Sequence, residues 1–334
     1  MNKLTNRLVP IFLSIQIGVV GCFTLGWSLT GLAQPAPYPN KSIRLLAPVA
    51  AGGGLDKIAR TVAERLGHAL GQTIIVENLT GGGGIIASQA TAKAAPDGYT
   101  LMIGYVGTHG TNPAIRKLPY DAIKDFTPIG MIGATPNVLV LNMALPVKNV
   151  KEFIAYAKKN PAQLSYGSAG PGTLTHLSME QFKNEAGIFL VHIPYRGIAP
   201  AFTDLMGGQT QAMFPALFAA LPYIETDKIR PLAVTGPNRN PAIPTVPTFK
   251  ELGYPGFEGQ QWYGIVGPAK MPEALVSKLN MELNKVLTNP EFAAKLTSEA
   301  LVVMPMSPNQ FGRYMADDIA RWTKVVKDRK IEIE

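Results

Sequence analysis

Glycine-rich stretches between apolar runs and amphipathic segments carry the residues of this chain that could do chemistry. The first, PVAAGGGLDKIAR at 48–60, joins the apolar Ile43, Leu45, Leu46 and Ala47 to a segment with Ile58, Val62, Leu66 and Leu70 at four-residue spacing. Gly52, Gly53 and Gly54 let the backbone take positive φ and let a ligand approach the main chain, and the following helix offers unpaired N–H groups and a partial positive charge. That combination suits an anion. Asp56, in the first helical turn, can cap those groups or meet a donor on a ligand, capping being the commoner use. Three further flexible loops follow: NLTGGGG at 78–84, SAGPGT at 168–173 and YRGIAP at 195–200. Ser168 and Thr173 offer hydroxyl donors at a helix mouth, and Arg196 is the one arginine inside the four loops. Thr108, in VGTHGTNP after an apolar strand, and His109 and His176, beside the loops, can also donate.

Other chemistries fit these residues poorly. AAGGGLDK lacks the Gly-Lys-Ser/Thr ending of a phosphate-binding loop, and neither it nor NLTGGGGI has the spaced glycines of a dinucleotide fingerprint. YGSAGPG is not the GxSxG elbow of a serine hydrolase, although Ser168 and His176 stand eight residues apart. His68, His109, His176 and His192 show no pair at metal-ligand spacing, and no cofactor is expected. Trp262 and Tyr263 read as core or hinge residues.

Strands alternating with helices must position these loops. Strands are expected near 73–77, 100–105, 138–142, 164–167, 190–194, 210–214, 231–235 and 262–266. Helices follow the glycine loops and recur at 150–159, 216–224, 273–287 and 308–326. That alternation indicates a parallel, doubly wound α/β arrangement, in which ligands bind beyond the carboxyl ends of the strands. The pattern restarts after 142, and the proline-rich 236–255 reads as an extended return crossover. Two lobes with two crossings follow: 34–141 with 243–334, and 142–242.

The chain has 334 residues, 46% hydrophobic and 16% charged, which is globular composition with room for two cores. Lys3 and Arg7 precede an apolar run at 8–20, and Gly31 and Ala33 mark a cleavage site, so 1–33 reads as an export signal. Cleavage after Ala33 is favoured over acylation at Cys22, although VVGC resembles a lipobox. It removes the one cysteine, so the remaining chain has no disulfide or thiolate chemistry. It also removes Lys3 and Arg7 and no acid, lowering the formal charge from +8 to +6. That balance attracts anions, but no basic block interleaved with aromatics points to nucleic acid.

The ordered motifs PVAAGGGLDKIAR, VENLTGGGG, APDGYTL, LPYDAIKDFTPI, YGSAGPGTLTHL and HIPYRGIAPAFTDLMGGQ together resemble the Bug, or TctC-like, family of tripartite tricarboxylate transporter substrate-binding receptors, from Tyr38 to near the C-terminus. The resemblance implies a two-lobed periplasmic binding protein of the Venus-flytrap type, each lobe a mainly parallel sheet flanked by helices. It implies a monomeric, non-enzymatic receptor that closes on a small carboxylate and hands it to a membrane permease of the tripartite tricarboxylate type or to a sensor. Carried over, the ligand positions are Ala51, Gly52, Gly53 and Asp56 in the first lobe. In or near the second they are Ser168, Gly172, Thr173, Arg196, Gly197, Ala201 and Asp204. Thr108 and His176 join the candidate set from their place beside the loops, a structural hydrogen bond being the commoner use of such a histidine. Val49 stands where the family commonly has an aromatic and Gly82 where it commonly has alanine, while Arg196 matches a position usually basic. The alternatives are a secreted α/β hydrolase and a binding protein for a phosphorylated or other anionic solute.

Overall fold

The computed structural model describes residues 38–257 and 259–328, so the expected export signal and Cys22 lie outside the described residues. Strand β1, Ile43–Ala47, pairs parallel with β2, Ile74–Asn78, on one side and β3, Thr100–Tyr105, on the other, which buries four of its five residues. Helix α1, Gly54–Leu70, turns Ile58, Val62 and Leu66 inward, and Gly71 ends it at φ 70. The expected second helix is shorter, α2 at Ile85–Ala92. The stretch read as the loop VGTHGTNP is instead a wide helical turn at Gly107–Thr111 running into a single-turn helix α3, Asn112–Ile115.

The largest difference is β4, Phe126–Pro136, which no periodicity announced. Its sequence FTPIGMIGATP carries prolines and glycines that read as loop, yet those glycines allow close packing: a Cβ on Gly133 would meet the Val302 backbone oxygen at 2.4 Å. The chain then enters a second sheet. Its elements in order are β5 (Val138–Asn142), α4 (Val150–Lys159), β6 (Ser165–Ser168), α5 (Leu174–Ala186), β7 (Val191–Pro194), α6 (Ile198–Met206), β8 (Ala212–Met213), α7 (Leu217–Glu225) and β9 (Ile229–Val234). It returns as β10 (Gln260–Pro268), α8 (Glu273–Leu287), α9 (Pro290–Ser298), β11 (Val302–Val303) and α10 (Pro308–Asp328), of which α9 and β11 were not anticipated.

The first sheet has the order β11-β4-β10-β3-β1-β2 and the second β7-β6-β8-β5-β9. Each keeps a parallel block of three, β2-β1-β3 and β7-β6-β8. The antiparallel strands are β10 and β11 in one and β5 in the other, as a chain that leaves a sheet and comes back requires. This is a two-lobed α/β protein. Because β5 pairs in the second sheet, the outgoing crossing lies at Asn137, ahead of the expected 141/142. Asn137 N–H donates to Thr235 Oγ1 at 2.9 Å and Thr235 N–H to Asn137 O at 2.8 Å, tying the outgoing crossing to the end of β9. The return crossing lies between Phe257 and Gln260, later than the expected 242/243, because Ile243, Val246, Phe249 and Phe257 pack in the second lobe's core. Among the described residues no helix is long and apolar enough to cross a membrane.

Candidate functional site

The glycine loops leave the carboxyl ends of the parallel strands. In the first, Gly52 takes φ +83, and its N–H turns back to donate to Asp56 Oδ2 at 2.9 Å. Gly53, at the N-cap of α1, is extended and leaves the first-turn N–H groups without a side-chain cap. Asp56 is 4% exposed, and both its oxygens are engaged: Arg60 Nε donates to Oδ2 at 3.0 Å and Asn78 Nδ2 to Oδ1 at 2.8 Å. Asn78 also donates to Val49 O at 3.0 Å and accepts from Arg60 at 2.9 Å. Asp56 therefore fastens the loop to the end of β2. Burial raises its pKa, but the bonds from Arg60, Gly52 and Asn78 outweigh that and hold it below the usual carboxylate value.

Four successive glycines, Gly81 to Gly84, all have positive φ, a run that favours glycine throughout. A Cβ on Gly84 would stand 2.5 Å from Thr108 Cγ2 and 3.2 Å from Pro48 Cβ, so this loop is wedged between the first loop and the 107–111 turn. Thr108 is fully buried, its hydroxyl paired with the Tyr105 backbone and 2.8 Å from His109 Nδ1. Burial pushes His109 down to about 3.

The second lobe repeats the arrangement. Ser168, also fully buried, has its Oγ 2.7 Å from His192 Nε2 and accepts from Gly170 N–H at 3.1 Å. Gly172 N–H donates to His176 Nδ1 at 3.2 Å. Thr173 Oγ1 donates to Gly170 O at 2.6 Å and lies 2.8 Å from Thr175 Oγ1. The Ser168 and Thr175 hydroxyls and His176 thus hold the loop's own N–H groups from within, the Thr173 hydroxyl holds the Gly170 carbonyl, and the N-terminus of α5 has no side-chain cap. Tyr195 N–H donates to Ser168 O at 3.1 Å, which draws Arg196 and Gly197 alongside. Gly197, at φ +111 and with nothing within 4 Å of a Cβ position, caps α6 without a side-chain bond. Arg196 is exposed, with no hydrogen bond or ion pair among the described residues. Ala201 lies behind, fully buried 3.5 Å from a Cβ on Gly167, and Asp204 accepts from Tyr195 Oη at 2.6 Å.

The candidates thus fall into two groups, one per lobe. Ala51, Gly52, Gly53, Asp56 and Thr108 share the first, while Ser168, Gly172, Thr173, His176, Arg196 and Gly197 share the second, with Ala201 and Asp204 supporting it from α6. Asn78, His192 and Arg116 escaped sequence reasoning. His192 is sixteen residues from His176, but β7 pairs it with Tyr166, and the rings of His176 and His192 stack at 4.2 Å. Burial lowers both imidazoles, His192 to about 4, so both are neutral at neutral pH. Among the described residues no three His, Cys, Asp or Glu side chains converge as a metal cage requires.

Comparison with known proteins bears on this pair of loop groups. The chain matches the model for the tripartite tricarboxylate transporter family receptor over residues 58–331. It is 32% identical over 321 residues to protein BugT of Bordetella pertussis, covering 93% of this chain and 96% of BugT. The structure of R. palustris Rpa4515 with adipate superposes with a TM-score of 0.84 at 37% identity, over 88% of this chain and 99% of that one. That of MatC from Rhodopseudomonas palustris with bound malate gives 0.80 at 32%, over 86% and 100%. Motif order, loop placement and a family match spanning both sheets agree, and the chain belongs to the Bug, or TctC, family of tripartite tricarboxylate transporter receptors.

Proposed function

We propose that this protein is an exported periplasmic receptor that clamps a small carboxylate between its two lobes and delivers it to a permease of the tripartite tricarboxylate type or to a sensor. The observation that carries the reading is the pair of glycine loops, one per lobe, each folded on itself by internal hydrogen bonds and each opening onto a helix N-terminus with no side-chain cap. Such groups favour an anion by a few tenths to about 1 kcal/mol per helix end when exposed, and more when partly buried. Relatives captured with adipate and malate support a carboxylate over a phosphorylated solute. We take the ligand positions to be the two loop groups, and the lobes to be the two sheets with their helices, hinged at the crossings near Asn137 and between Phe257 and Gln260. The reading is of a monomer that binds without turnover. Ser168 touches a histidine as a nucleophile touches its base, but it is fully buried and its oxygen already holds Gly170 N–H.

A thermal-shift panel of adipate, malate, their diamides, inorganic phosphate and a chromogenic ester tests this. A ligand at 100 times its dissociation constant adds about 2.7 kcal/mol of stability. Stabilisation by a dicarboxylate and not by its diamide is the expected result. Stabilisation by phosphate alone, or hydrolysis of the ester, overturns it.

A further inference from the structure

Arg116 and Ile115 lie in the first lobe, at the end of α3, yet both reach the second. Arg116 Nη2 donates to Pro171 O at 3.3 Å, across 55 residues of sequence. Ile115 occupies the space that a side chain on residue 172 would need: a Cβ on Gly172 would stand 2.2 Å from Ile115 Cδ1 and 2.7 Å from Arg116 Nη2. Ile115 packs against the cluster in which Leu174 and Leu177 of α5 join first-lobe residues such as Met315. The loop so gripped is the one that Ser168, His176 and His192 brace, and Gly172 itself sits at φ +75.

We infer that Arg116 and Ile115 form a latch, closing onto the Pro171–Gly172 peptide and setting how long a bound carboxylate is held. The inference rests on the receptor reading above, and it adds positioning residues outside the loops that face the ligand. Three features support it. The guanidinium engages a main-chain carbonyl rather than a carboxylate, an attachment that needs no particular side chain on the other lobe. The glycine at 172 serves two ends, the positive φ of the loop and the room for Ile115. Of the three cationic side chains Lys57, Arg60 and Arg116, Arg60 is paired with Asp56 at 3.0 Å. Lys57 is paired with Glu299 at 3.1 Å while also lying 5.5 Å from the Phe218 ring of α7, so Arg116 is the one of the three that hydrogen-bonds to the second lobe. The latch acts through lobe position, so it governs release more than capture.

The test uses protein purified from the periplasm, with small-angle scattering without ligand and stopped-flow binding of adipate and malate. Arg116→Ala and Gly172→Ala are each expected to raise the radius of gyration of the unliganded protein. Arg116→Ala is expected to speed ligand release about three- to tenfold with the association rate unchanged, in line with loss of one charge-assisted hydrogen bond at a half-exposed position. In Gly172→Ala the added Ile115→Ala change should recover part of the closure, because the obstructing Cδ1 is gone; a general folding defect would not be recovered that way. Unchanged scattering and release in Arg116→Ala overturn the latch even if adipate binds, and the receptor reading then stands without it. Expanded variants in a protein that binds neither acid keep the latch and remove the carboxylate reading. A slower association rate at constant radius would make Arg116 a ligand contact, which also overturns the latch.

Discussion

Asp56 shows how one buried side chain can set the shape of a loop. Its carboxylate gathers Gly52 N–H, Arg60 and Asn78 and so fixes where the first loop turns. Asp56→Asn keeps the shape but loses the charge and one acceptor oxygen. Unfolding in urea should show a loss of about 1–3 kcal/mol, since hydrogen bonds to charged groups contribute roughly 1.5–3 kcal/mol and do not add fully. Because the native pKa of Asp56 is depressed, its contribution is present above the unfolded value and is lost as pH falls through the native one. The variant should therefore be less sensitive to acid below pH ~4. Ser168 carries a second expectation. Its hydroxyl is spent on His192 and Gly170, so Ser168→Ala should weaken adipate and its diamide by similar factors in calorimetry. A loss confined to the acid would mean that the hydroxyl reads the charge directly.

The glycine loops, taken as elements, differ in why they need glycine. Gly52 has φ +83 but open space around it, whereas Gly84 has φ +95 and Thr108 Cγ2 at 2.5 Å from any Cβ. Gly52→Ala should cost about 1 kcal/mol of backbone strain, and Gly84→Ala more, about 2–4 kcal/mol with overpacking added. Equal midpoints in thermal unfolding would refute the wedge between the two loops. These loops were legible in the sequence because a run of glycine between an apolar strand and an amphipathic helix has few other uses. β4 was not legible, because Pro128, Gly130 and Gly133 break both periodicities and its strand character comes from β10 and β11 on either side. The His176–His192 stack was hidden for a related reason, since the parallel pairing of β6 with β7 sets His192 beside Tyr166, α5 brings His176 to the same rings, and no local spacing encodes it.

Across the whole molecule, the stack gives stability a pH dependence. His192 is pushed down to about 4 and His176 is lowered too, with Glu180 opposing and Lys183 reinforcing the shift, so the unfolded chain binds their protons more readily. Their stabilising effect is complete above the unfolded value near 6.5 and is lost as pH falls toward 4. Melting temperature should drop through that window, and less in His192→Asn; the same drop in that variant would place the cause elsewhere.

Trp262 lies on β10 in the first sheet, fully buried, its indole N–H donating to Asp318 Oδ2 at 2.7 Å. It shares one apolar cluster with Leu174 and Leu177, which α5 brings from the second lobe. An indole in such surroundings emits toward the blue, and parting the lobes would draw that cluster open and let water near it. The receptor therefore carries its own optical gauge of closure. Trp322 sits in the same cluster at 2% exposure, so Trp322→Phe would leave Trp262 as the single emitter among the described residues. Titrating adipate into that variant should shift its emission to shorter wavelength with no label attached, and a spectrum indifferent to saturating ligand would mean that Leu174 and Leu177 stay in place throughout.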